Sequence, residues 1–241
     1  MLQRNVSQTE VRRNSSEPLK LELTQDLPGV PVLPETLLRM ELMVQEPSID
    51  LHEMAQTVLA DLGATLQILR LAGREYGDAQ NRPARIEDFI SDLGSKACLE
   101  AVSQQAVIRD SRQRAIAAFW AHSREIAQYA KLASENMPEV NPDEAYLAGL
   151  LHAIDLLPAI LGWDCRGAGP TDATLAGLWM AKKWSLPQCV VEFFFEAHLP
   201  DSETPWPGIV RTAHEVASRS LINCRFERHL RPHMHGTRNL A

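Results

Sequence analysis

The stretch AYLAGLLHAIDLL, residues 145–157, sets one histidine and one aspartate, His152 and Asp155, into an almost wholly apolar run. Burying ionisable groups among leucines costs free energy unless they are paired or bound to something. Read as a helix, the run places His152 and Asp155 at i and i+3, about 60° apart and on one side. Leu147, Leu150, Leu151, Ile154 and Leu157 take the other side. Asp143-Glu144 puts acid in the first turn, where the helix dipole favours it. The stretch is either part of a metal-holding site or the remnant of one.

Outward from it, helical periodicity dominates and β-branched alternation is nearly absent, so the expected fold is all-α. Upstream, Gln113 opens a long helix with Ile116, Phe119, Ser123, Ile126 and Ala130 as its buried stripe. His122 lies on the inward side of that helix. Further upstream, Pro28, Pro31 and Pro34 hold an extended lead-in, and Pro34-Glu35 suits a helix's first turn. Leu37, Leu38, Met40, Leu42 and Met43 give that helix an apolar face. Leu51, Met54, Ala55 and Val58 mark a second helix, and Leu62, Leu66, Leu69 and Leu71 a third. Ile86 to Leu93, closed by Gly94, and Ala97 to Ile108 are two more. Downstream, residues 173–184, 187–198 and about 207–224 read as helices, the last after the Pro-rich turn LPDSETPWPG. The layout is two helical lobes, about 27–112 and 113–224. They are preceded by a polar arm, 1–26, and followed by a basic, histidine-containing tail, 225–241.

Composition narrows the function classes. With 45% hydrophobic and 23% charged residues the chain is an ordinary globular protein. A formal net charge of −7 argues against extended nucleic-acid binding, which needs a cationic face. No apolar run reaches the roughly 20 residues of a membrane helix, and no secretory signal is visible, so no membrane association is expected. Cys98, Cys165, Cys189 and Cys224 are far apart with no CxxC pair, which fits buried thiols in a reducing cytoplasm. Gly167-Ala168-Gly169-Pro170 lacks the Lys and the strand–helix setting of a phosphate loop. Trp120, Trp179 and Trp184 sit at core positions of helices. The tail, with Arg225, Arg228, Arg231, Arg238, His229, His233 and His235, reads as a solvated terminus.

Inward-leaning histidines remain as candidates: His122, His152, His198 and His214, with Asp155 as the one carboxylate beside them. Neutral imidazole is a good transition-metal ligand. A histidine on an apolar helix face is, however, commonly just a satisfied core residue, and spacing alone cannot show that ligands on separate helices converge.

Four motifs in order, LPGVPVLPETLLRMELM, FWAHSREIAQYAKLA, AYLAGLLHAIDLL and GLWMAKKWSLPQCVVEFFFEAH, resemble the HDOD domain, a non-catalytic branch of the HD superfamily found in bacterial signalling proteins. The resemblance spans roughly residues 27–222. It implies a cytoplasmic regulatory module that binds signalling proteins, or a nucleotide, through the groove between its lobes.

Catalytic HD proteins resemble the chain more distantly. Their metal site takes a histidine from the first long helix, a contiguous His-Asp pair from the next, and a late aspartate. In that comparison His122 matches the first and His152 the histidine of the pair. Ala153 stands where the paired aspartate would be, and His214 where the late one would be. The extra histidines of two-metal members fall at about Ala173 and Ala197, with His198 beside the latter. Phosphohydrolysis needs carboxylates to bridge cations and orient water, and Asp155, about 200° round the helix from Ala153, cannot substitute. The resemblance therefore implies no catalytic residue, no metal and no cofactor. The rival expectation is a divergent phosphohydrolase with a divalent metal on His122, His152 and His214, more weakly Asp155 and His198. A third reading is a helical adaptor whose histidines only support the fold.

Overall fold

The structure, a computed structural model, describes residues 29–76, 84–105, 113–163, 173–197, 199, 202–218 and 220. The arm 1–26, the tail 225–241, His198, Cys165 and Cys224 lie outside the described residues.

Pro34 opens α1, Pro34–Gln45, which buries Thr36, Met40 and Met43. The expected apolar face is wrong in part: Leu38 and Leu42 are more than half exposed, because the helix turns its i, i+4, i+7 line of Thr36, Met40 and Met43 inward. Asp50 caps α2, Leu51–Leu59, by accepting from Glu53 N at 3.0 Å. In α3, Leu62–Tyr76, every residue from Leu62 to Leu69 is buried, so this helix is the centre of the first lobe. α4, Ile86–Leu93, stops at Gly94, whose φ of 86° suits glycine, and α5, Ser95–Ser103, follows at once. These five helices pack chiefly on one another.

The second lobe is built on α6, Gln113–Ser134, and α7, Pro142–Leu151. Ile116, Phe119, Ser123, Ile126 and Ala130 are all buried as the stripe on α6 requires. The two helices touch backbone to backbone: a Cβ on Gly149 would come within 2.8 Å of Ala127 Cα and 2.9 Å of Ala130 Cβ. α8, Leu157–Leu161, α9, Ala173–Lys183, α10, Gln188–Glu196, and α11, Trp206–Ala217, complete the lobe. No strand occurs among the described residues.

The stretch 145–157 is not one helix. α7 ends at Leu151 with His152 as its C-cap, Ala153 leaves helical geometry at φ −125° and ψ 28°, and Ile154–Leu156 form a 3-10 turn. Pro158, in the first turn of α8, explains the break. An unbroken helix would need an N–H from residue 158 to the Ile154 carbonyl, and the ring would clash there. The 60° separation expected for His152 and Asp155 therefore does not apply. Pro142–Leu161 does, contrary to expectation, have the length and hydropathy of a membrane span, but it is interrupted at His152 and 61% buried inside the protein.

One carboxylate ties the lobes together. Asp61, fully buried just before α3, accepts from Gly63 N at 2.8 Å and Ala64 N at 3.3 Å, capping the helix. It also accepts from Leu33 N at 2.7 Å and, across the lobes, from Trp120 Nε1 of α6 at 3.0 Å. On the surface, Arg85 Nε and Lys131 Nζ both reach Asp143, at 2.9 and 2.8 Å.

Candidate functional site

Three of the sequence candidates meet. His122 from the middle of α6, His152 at the end of α7 and His214 near the end of α11 place their rings together, with centroids 5.3, 5.3 and 4.7 Å apart. One ligand-capable nitrogen from each lies within 4.8 Å of the other two. The backbone contact at Gly149 brings α7 against α6, and the break after Leu151 then presents His152 at the helix end. α11 is set by two carboxylates of α10. Glu192 Oε2 accepts from Trp206 Nε1 at 2.8 Å, and Glu196 Oε2 accepts from Ser202 Oγ, Thr204 N and Thr204 Oγ1 at 2.8, 2.8 and 2.9 Å.

His122 is buried, while His152 and His214 are partly open. His152 Nδ1 is 2.7 Å from the Gly149 carbonyl oxygen. A carbonyl only accepts, so Nδ1 carries the proton and Nε2 carries the lone pair. Burial, and then the neighbouring His214, push the His122 ring down to about 3. Burial and the same crowding hold His152 well below the usual histidine range, and burial lowers His214. The cluster is thus three neutral bases.

No carboxylate or thiol joins this group among the described residues. Asp155, on the 3-10 turn, is half-buried and not one of the cluster. Glu125, one turn from His122, accepts from Ser220 Oγ at 2.8 Å. Ala153 is buried. Ala197 caps α10, and Ala173 begins α9. His152 and His214 line a groove of about 890 Å³ together with Phe193, Thr204 and Arg211.

A second cavity, of about 370 Å³, lies between the lobes. Gln56 of α2, Arg124 and Gln128 of α6 and Tyr146 of α7 line it, together with the Arg85–Asp143–Lys131 ion triad. Sequence reading placed a groove there without naming its residues. Their helical spacing shows only that Arg124 and Gln128 are outward on α6.

Comparison with known proteins decides the family. A profile of the HDOD domain matches residues 30–160, more than half of the 241 residues. The chain belongs to the HDOD family. Among solved structures, this HDOD protein is similar to the MmoQ response regulator from Methylococcus capsulatus str. Bath, at 20% identity over 82% of this chain and 92% of that one, with a TM-score of 0.59. A second structure of MmoQ, fragment 20–298, gives 19% identity, coverage of 85% and 91%, and a TM-score of 0.58. At such identity the likeness is one of fold. An HDOD domain protein of unknown function from Geobacter sulfurreducens is 22% identical, covering 83% of this chain and 84% of that one, but its TM-score is only 0.34. No curated protein matches the chain at a significant level.

Proposed function

We propose that this HDOD protein is a non-catalytic regulatory module of bacterial, cytoplasmic signalling. In this reading it binds a protein partner through the groove between its lobes. The observation that carries the reading is the composition of the histidine cluster. Three imidazoles converge without a carboxylate among the described residues, and in the resemblance to HD hydrolases Ala153 and His214 stand where the aspartates would be. A two-metal phosphohydrolase site uses carboxylate charge to bridge its cations and hold the attacking water. Neutral nitrogens supply none. The fold likeness to MmoQ, a response regulator, supports a place in signalling.

The inter-lobe cavity suits a docking role. It offers amides, a phenol and mixed charge rather than a field of one sign, with Arg124 and Gln128 exposed on its floor. A photo-crosslinking residue at position 128 tests the reading in bacterial cells that express the chain. A discrete protein adduct is expected there, absent from a control at exposed Lys182 on α9 and lost with Arg124→Glu. Identical labelling at both positions would overturn the assignment of the groove. Calorimetry against a nucleotide panel covers the second reading, in which a nucleotide occupies the same cavity. Micromolar binding abolished by Arg124→Glu would replace the protein partner with that ligand.

A further inference from the structure

We infer that the inter-lobe cavity is a socket for an acidic side chain, an Asp or Glu presented by the partner protein, and that Arg124 pairs with it. This assignment rests on the docking role proposed above and names the group that docks.

The first observation is which charges are already engaged. Arg85 Nε and Lys131 Nζ both hold Asp143, at 2.9 and 2.8 Å, and His52 Nδ1 lies 3.2 Å from Glu87 Oε2. Both carboxylates that line the cavity therefore have partners of their own. Arg124 lines it too, and makes no ion pair with any described residue. Three fixed cations, Arg85, Arg124 and Lys131, stand against two carboxylates. The cavity thus holds a positive excess within a chain of net charge −7.

The second observation is the lining around that charge. Arg124, Gln128 and Lys131 stand at i, i+4 and i+7 of α6, on one face of the helix, and Gln56 of α2 lines the same cavity. The side chains of Gln56 and Gln128 are exposed and have no hydrogen-bond partner among the described residues. Each can donate an amide N–H to a carboxylate oxygen. Ala55, Ala60 and Ala84 add little bulk to the lining, and about 370 Å³ stays open. That is the small end of the range of ligand pockets, with room for a few side chains but not for a whole helix.

The third observation is the match of charge. A single unengaged guanidinium suits a single carboxylate, and the two groups pair through parallel N–H···O bonds that a lysine cannot supply. A nucleoside di- or triphosphate carries several negative charges, and would have to draw Arg85 or Lys131 away from Asp143. The net charge of −7 repels an acidic partner at long range, but at physiological salt charges act over only about 8 Å. At contact the local excess decides.

The test starts from the adduct trapped by a photo-crosslinking residue at position 128 of the full-length chain, with the trapped segment sequenced by mass spectrometry. That segment is expected to carry Asp or Glu close to the crosslink. As a synthetic peptide it should bind the parent about tenfold more tightly than Arg124→Gln in fluorescence anisotropy. Lys182→Gln, at an exposed position of α9, should match the parent. Changing the peptide's acidic residue to Lys should abolish binding to the parent and restore it to Arg124→Glu, a rescue that a merely structural role of Arg124 would not give. A trapped segment with no acidic residue, or equal affinity for the parent and Arg124→Gln, would overturn the socket and leave the groove as a docking site. No adduct at position 128 would overturn the docking role and the socket with it. Micromolar nucleotide binding that depends on Arg124 would overturn both in favour of that ligand.

Discussion

Removing the Asp61 carboxylate should uncouple the two lobes. It accepts four N–H donors: two at the start of α3, Leu33 N in the lead-in, and Trp120 Nε1 two residues before His122. In Asp61→Ala the first pair loses a helix cap, worth about 1 kcal/mol. Buried Trp120 Nε1 and half-buried Leu33 N are left without this acceptor, at about 1–3 kcal/mol each. The sum is roughly 3–7 kcal/mol, a large share of the ~5–15 kcal/mol that holds a domain together. Asp61→Asn separates shape from chemistry. It fills the same space but turns a donor toward one of those N–H groups, so it should lose about half as much. Trp120→Phe deletes the inter-lobe bond together with part of a buried ring, and should cost about 1.5–3 kcal/mol. Urea unfolding with linear extrapolation reads all three. If Asp61→Ala costs under about 1 kcal/mol, or if the Asp61→Ala and Trp120→Phe losses simply add, the carboxylate does not bridge the lobes.

Gly149→Ala should destabilise by about 1–3 kcal/mol, because its Cβ meets backbone at 2.8 Å and α7 must back away from α6; a melting curve matching the parent would contradict the contact. In chelator-stripped protein the histidine cluster should weaken the fold in acid. His122 stays neutral to about 3 when folded but protonates near 6.5 when unfolded. Its contribution is complete above about pH 6.5 and falls by about 1.4 kcal/mol per pH unit below it. Stability from pH 7 to 5 should therefore fall by roughly 2 kcal/mol more in the parent than in His122→Asn, and equal slopes would contradict a neutral buried ring. Ala153→Asp should strengthen Mn²⁺ binding, measured by electron paramagnetic resonance, because it adds one anionic oxygen beside His152; unchanged affinity would show that position 153 does not face the ion.

Much of the fold was readable from local chemistry. Pro34 as a helix start, Gly94 as a helix stop and the α6 stripe from Ile116 to Ala130 all follow from propensity and period, and the structure has them. Periodicity misjudged Leu38 and Leu42, since an apolar side chain is not obliged to be buried. The signal at Pro158 was present but outweighed by the apolar run, and with it went the relation of Asp155 to His152. Convergence of His122, His152 and His214 was beyond spacing arguments, because packing of α11 against α6 and α7 creates it. Asp61 carried a helix-cap signature before Leu62, whereas its bond to Trp120 spans the lobes and leaves no local trace.

The measurement that bears most directly on the missing carboxylates is phosphodiester hydrolysis by the purified chain in Mn²⁺, Mg²⁺ or Zn²⁺, beside His152→Ala. Turnover at the level of buffer, and the same for both proteins, is the predicted result. Multiple turnover by the parent that disappears in His152→Ala would show that imidazoles at this site suffice for catalysis.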